Sequence, residues 1–284
     1  MNQNNLAIGV FDSGMGGLSV AQALKQALPR ENFIFIADSA HLPYGDRSAA
    51  ELAEYSQGMA DFLAKQPIKA LVIACNTVSS LFSKQLSQQL NIPVVNVIDP
   101  LAAKIGGFYQ KPAHLGLVGT ALTIKQGYYA DKITSSNPEL TLSSWAMPEL
   151  VPMIEQKPIQ REKIFEVILD YAKRYHWEKL DGLILGCTHY PWVYQEFRAA
   201  LDRAAPYHDV TLWHANLATA NSLKELLAKE GKLNGAEDVG SWHFYLTQPK
   251  ANLAYNIQLN WEYEPDLIQY LNWSQKGDKL CLTA

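Results

Sequence analysis

The sequence predicts an α/β fold, with two pseudo-related doubly wound lobes of mainly parallel sheet and a functional site in the cleft between them. Three observations carry this expectation. Six short apolar runs are continuous rather than alternating, as strands covered on both faces are. Amphipathic stretches of helical period separate them, which is the strand-helix-strand rhythm of open parallel sheets. The chain also repeats itself coarsely. "GVFDSGMGG" (9–17) and "LGLVGTALT" (115–123) each set a strand, a small or hydroxyl turn and a helix start in series. Each is followed by a strand that ends in cysteine, 63 residues on from Asp12 to Cys75 and 67 on from Thr120 to Cys187.

In chain order, "LAIGVF" (6–11) is the first predicted strand and "GLSVAQALKQAL" (17–28) the first helix. "FIFIAD" (33–38) follows, then a helix within 49–66, then "ALVIAC" (70–75) running into the helical "VSSLFSKQLSQQL" (78–90). "PVVNVI" (93–98) closes the first half, and the chain is expected to cross between lobes near Asp99-Pro100. The second half holds strands "LGLVGT" (115–120) and "GLILGC" (182–187), with a helix over 161–177 between them and "PWVYQEFRAAL" (191–201) after. A second crossing is expected near Pro206, with the tail ("SWHFYLTQP", "EYEPDLIQYLNW") returning to the first lobe. The expected lobes are therefore 1–98 plus 210–284, and 99–209.

The 284 residues are 48% hydrophobic and 18% charged, an ordinary globular balance. A net charge of −4 without a lysine-arginine cluster argues against a nucleic-acid partner. No apolar run approaches membrane-spanning length, and the start lacks the layout of a secretory signal. Three cysteines make no disulfide framework, so free thiols in a reducing cytoplasm are expected. Zinc is disfavoured as well: Cys187 and His189 supply two ligands where four are needed, and there is no Cys-x-x-Cys pair. No metal site is expected.

Cys75 and Cys187 carry the chemical question. Each ends a buried-strand pattern and is followed by hydroxyl or amide residues and then a helix, where exposed amides and the positive dipole end favour a thiolate. Cysteine is also among the most buried residue types, so packing alone is the competing account. Two thiols on opposing lobes suit the inversion of a carbon centre. One thiolate takes a proton from the carbon while the other thiol delivers one to its opposite face. A carbanion beside a carboxylate would then be held by the amides after Asp12, Cys75, Thr120 and Cys187. Asp12 and His189, each near a cysteine turn, either tune the thiols or serve locally, Asp12 as a cap for the helix near Gly17 and His189 as a helix-start residue. "GMGG" (14–17) matches neither a dinucleotide nor a phosphate loop, and suits close backbone approach to a small anion.

These residues resemble the cofactor-independent glutamate racemases of the aspartate/glutamate racemase superfamily. The resemblance rests on "FDSGMGGLSV", "ADSAHLPYGDRS", "ACNTVSS", "VIDP", "VGTALTI", "VPMIE" and "LGCTHYP", up to about residue 192, with a fainter match at "FYLT" (244–247). It implies interconversion of L- and D-glutamate without a cofactor, supplying D-glutamate for peptidoglycan and so for cell-wall biogenesis and cell shape. By the same resemblance Cys75 and Cys187 are the acid-base pair, with Asp12 and His189 assisting. Asp12, Ser13, Tyr44, Gly45, Asn76, Thr77, Thr120 and Thr188 hold the substrate, and Glu155 is a carboxylate near the site. It further implies two α/β lobes around a closed cleft and a homodimer. Departures from the family pattern include Met147, where a cysteine is usual, and His214 in "LWHAN". An aspartate racemase is the near rival. A decarboxylase relative needs one thiol of the two, and an amino-acid binding protein needs neither.

Overall fold

The computed structural model describes residues 3–261, 267–274 and 279–282. The five residues 262–266 at the head of the "EYEPDLIQYLNW" stretch lie outside them. Strands are β1 (Ala7–Asp12), β2 (Phe33–Ala37), β3 (Ile68–Ile73), β4 (Val94–Asn96), β5 (Ala113–Gly119) and β6 (Leu140–Ala146). They continue with β7 (Gly182–Gly186), β8 (Thr211–Trp213), β9 (Trp242–Leu246), β10 (Ile268–Trp273) and β11 (Leu280–Leu282). Among the described residues they form two sheets, one of seven strands ordered β11-β10-β9-β2-β1-β3-β4 and one of four ordered β6-β5-β7-β8.

Every pairing is parallel except that of β10 with β11. The inner part of the larger sheet, β2-β1-β3-β4, and the whole smaller sheet, β6-β5-β7-β8, share one winding: second strand, first, third, fourth. The coarse repeat in the sequence is thus a repeat of topology. In each lobe the strand that opens the half lies beside the strand that ends in cysteine.

Continuous apolar runs become two-faced strands as expected. In β1, Ile8 and Val10 join one hydrophobic cluster while Ala7 and Phe11 join the other, and all six residues are buried. The first of these clusters runs on through both lobes, from Leu18 and Phe35 to Ile184 and Phe197, so the lobes share a continuous apolar body.

The structure differs from the sequence reading in three places. Strand β6 is half-exposed along most of its length, and its Thr-Leu-Ser-Ser-Trp pattern offers no continuous apolar run to find. The lobe boundary expected at 209/210 precedes β8, which pairs with β7, so by sheet membership the return to the first lobe comes after Trp213. The helix Asn216–Lys229 then packs on the first lobe's helix Gly17–Ala27. Finally, the helix expected over 191–201 is split into a short 3-10 turn, Tyr190–Val193, and a helix, Tyr194–Ala204. Strands β9 and β10 extend the first sheet.

Candidate active site

Parallel sheets present ligands to the carboxyl ends of their strands. Here the ends of β1, β3, β5 and β7 meet in one cleft with about 460 Å³ of unfilled space, counting the solvent at its mouth. Ser13, Cys75, Asn76 and Thr77 line it from the ends of β1 and β3, and Tyr44 and Gly45 from the 3-10 turn Tyr44–Asp46 after β2. Thr120, Cys187, Thr188 and His189 line it from the second lobe. Asp12 and Glu155 stand behind this wall and reach it through hydrogen bonds.

The lobes contact each other in a crossed pattern. The turn after β1 packs on the turn after β7: Thr188 Oγ1 donates to Asp12 Oδ2 at 3.1 Å, and Ser19 Oγ donates to the Thr188 carbonyl at 3.0 Å. The turn after β3 packs on the turn after β5, with Thr77 Oγ1 3.1 Å from Thr120 Oγ1 and 3.3 Å from Thr123 Oγ1. Exchanging the lobes exchanges these two contacts, so the cleft has an approximate two-fold relation of the kind self-complementary interfaces have.

Gly16 makes the first contact possible. A Cβ there would lie 2.4 Å from Thr188 Oγ1 and 2.5 Å from His189 Nδ1, too close for any side chain. The glycine-rich turn therefore serves close approach between lobes at this position, where the sequence suggested approach to an anion. Asp12 is fully buried. It accepts from the Gly14 amide at 2.8 Å and interacts with the Gly17 amide, while Gly16, without a side chain, is the helix cap proper. Burial raises the pKa of its carboxyl, opposed by the His189 charge and these hydrogen bonds.

Cys75 is the N-cap of the helix Asn76–Gln89, in extended geometry, with Sγ 3.9 Å from Ser13 Oγ. Its amide environment was expected to favour the thiolate, and the Val78 amide does act in that direction. Burial is the larger effect, and the nearby Asp12 adds to it, so the thiol is pushed up to about 12. Cys187 sits before the short 3-10 turn rather than on a long helix, with Sγ 3.9 Å from His189 Nδ1. His189 Nε2 is 2.6 Å from Glu155 Oε1. Burial alone would lower the His189 pKa, but the hydrogen bonds to Cys187 and Glu155 and the Glu155 charge outweigh it and lift the imidazole well above its ordinary value. Glu155 is moved the other way: burial would raise it, yet the bond and charge of His189 and the Met15 amide hold it low. The pair is thus an imidazolium and a carboxylate.

Tyr44 donates to Asp38 Oδ2 at 2.7 Å, and burial with the Asp38 charge keeps the phenol protonated. Sequence reasoning does not reach Asp38, Thr123 or Tyr129. Asp38 stands in the quoted "ADSAH" run, yet nothing in that spacing reveals that Thr247 and Trp273, more than two hundred residues on, donate to its Oδ1 at 2.6 and 2.9 Å. Tyr129 Oη donates to Asn76 Oδ1 at 2.6 Å across the lobes. Met147 is buried in the core and its carbonyl accepts from Tyr190, while His214 packs edge-on to Tyr194. Among the described residues no group of three His, Cys, Asp or Glu side chains is placed to hold a metal, and no helix is long and apolar enough to cross a membrane.

The family described as Asp/Glu/hydantoin racemase matches residues 8–218. A glutamate racemase of Bacillus cereus is 35% identical over 264 residues, covering 92% of this chain and 94% of its own. The structure of a Francisella tularensis glutamate racemase in complex with D-glutamate superposes with a TM-score of 0.83 at 30% identity, covering 94% of this chain and 97% of that one. A glutamate racemase isoform from Bacillus anthracis gives 0.84 at 30% identity, with 96% and 98% covered.

Proposed function

The chain belongs to the Asp/Glu/hydantoin racemase family, and from that membership we propose a two-cysteine glutamate racemase that needs no cofactor. It interconverts L- and D-glutamate and supplies the D-isomer for peptidoglycan. One thiolate of the Cys75–Cys187 pair removes the Cα proton while the other, as thiol, protonates the opposite face, and the roles exchange in the reverse direction. The observation that carries this reading is the meeting of Cys75 and Cys187 in one cleft from strand ends on two separate sheets.

The surrounding groups have separable roles in this reaction. Burial raises the Cys75 pKa, and the substrate's ammonium, on entering, lowers it again by offsetting the thiolate's charge. His189, held as imidazolium by Glu155, stands beside Cys187 and steadies negative charge on it. Asp12, whose pKa burial raises, tunes the charge near both turns and fixes Thr188. Asn76, Thr77, Thr120 and Thr188, with Ser13, Tyr44 and Gly45, receive the carboxylates and ammonium. The amides opening the helix Asn76–Gln89 suit an anion and the charge that develops beside it. The same reading makes the enzyme a cytoplasmic homodimer of two lobes, the first formed by the two ends of the chain.

Circular dichroism of L-glutamate and of D-glutamate, each incubated with the purified protein and no added cofactor, tests this directly. Both signals are expected to decay to zero. Inert glutamate with decaying aspartate would overturn the substrate, and inertness of both the reaction.

A further inference from the structure

Asn76 lines the cleft at the first position of its helix and is 3% exposed. An asparagine amide offers one carbonyl acceptor and an NH2 with two donors, and which of them faces a ligand decides what it recognises. Here the acceptor is taken. Tyr129, 1% exposed on the second lobe's helix Tyr128–Ser136, donates its hydroxyl to Asn76 Oδ1 at 2.6 Å. That hydroxyl has no other acceptor among the described residues, so a turned amide would donate its NH2 to the phenol oxygen and leave the buried O–H proton unpaired. The Asn76 NH2 has no acceptor among the described residues and is left for whatever enters the cleft.

The tyrosine is itself held from the other half of the site. Its ring packs by Gly186, the residue before Cys187, where an added Cβ would meet Cε2 at 3.4 Å. Burial raises the phenol's pKa and the Cys187 charge adds to it, so the hydroxyl stays a donor across the working pH range. One side chain thus runs from the strand end of one thiol to the residue after the other.

We propose that Tyr129 is a positioning residue for substrate recognition, fixing the Asn76 amide so that its NH2 donates to a carboxylate of the substrate. The proposal rests on the glutamate reading above. Because the hydrogen bond already holds the carboxylate in the ground state, its loss is expected mainly in KM.

The test is a double-mutant cycle of Tyr129→Phe and Asn76→Ala, with kcat and KM measured for both glutamate isomers and thermal midpoints recorded. Tyr129→Phe is expected to raise KM about three- to tenfold, the worth of one neutral hydrogen bond, with kcat within about twofold. In the Asn76→Ala background the same change should leave KM within about twofold, since there is no amide left to orient. An unchanged KM in Tyr129→Phe overturns the proposal. So does a loss confined to kcat, or the same KM increase in both backgrounds, which marks a merely structural role. If the unmutated protein does not interconvert glutamate, the functional reading fails and the proposal with it. An active parent with an indifferent Tyr129→Phe sinks the proposal alone.

Discussion

The two crossed contacts between the lobes occupy equivalent places in the fold and differ in charge. Where the turn after β1 meets the turn after β7, the residues are Asp12, Gly16, Thr188 and His189, backed by Glu155: two carboxyls, an imidazolium and a glycine squeezed between them. Where the turn after β3 meets the turn after β5, they are Asn76, Thr77, Thr120, Thr123 and Tyr129, all neutral. Repetition of the winding puts a thiol at each place. The side chains outside the repeat then make one half a setter of protonation and the other a frame of hydroxyls and an amide. A symmetric reaction does not require symmetric surroundings, since each thiol needs only to reach both of its protonation states during turnover.

The strongest challenge to the pairing is removal of either thiol. Cys75→Ser and Cys187→Ser are each expected to lower kcat on the order of 100- to 10,000-fold, as loss of one acid-base group does, with thermal midpoints little changed. A variant that keeps parental turnover would break the equivalence of the two halves. Next comes Gly16→Ala, which drives a methyl into Thr188 and His189. About 1–3 kcal/mol of strain and a rate loss of roughly tenfold or more are expected from overpacking and a displaced Cys187 turn, read by calorimetry and by the racemisation assay. An active, equally stable alanine variant would mean that the two turns are not in close register.

Glu155→Gln separates the charged half from the neutral one. It removes a charge that raises His189 and weakens the hydrogen bond to it, so the imidazole should titrate at lower pH, visible by NMR, and the alkaline limb of kcat/KM should move down with it. Stability follows the same sign. The raised His189 contributes fully below its unfolded value of about 6.5, and this is lost as pH rises through its folded value; the lowered Glu155 contributes above about 4.5 and loses this as pH falls through its own. The pair is therefore most stabilising between those limits, and Glu155→Gln should flatten the stability profile there. Thr123→Val, on the neutral side, takes away one hydroxyl shared with Thr77 and Thr120. A KM change of no more than about tenfold with an unmoved pH profile is expected, and a shifted profile would contradict the division of labour. The smallest effect concerns reactivity without substrate: exposed Cys281 should alkylate before Cys75, which is buried as a thiol with a pKa of about 12. Mass-spectrometric mapping over time reads the order.

Much of this was legible in the chain because it is local. Apolar runs of five or six residues ending in Asp12, Cys75, Thr120 and Cys187 announce both the parallel sheets and the strand ends where they deliver their side chains. What stayed hidden depends on contacts between distant segments. No spacing relates Tyr129 to Asn76 or Trp273 to Asp38, and Gly16 reads as one glycine of three until the second lobe is laid against it. The protonation of Cys75 departs from the sequence expectation for a similar reason. The helix start that favours a thiolate is visible in "ACNT", while the burial that outweighs it is a property of the closed cleft.

Two monoprotic thiols acting from opposite faces of one carbon leave an isotopic signature. Racemisation of L-glutamate in D2O, followed to low conversion by mass spectrometry of the separated isomers, tests for it most directly. Solvent deuterium is expected at Cα of the D-glutamate formed, while the remaining L-glutamate keeps its protium, because the proton taken by one thiol is returned to the same face. The same pattern is expected starting from D-glutamate. Protium carried from substrate into product, or deuterium appearing equally in recovered substrate, would contradict a two-cysteine mechanism.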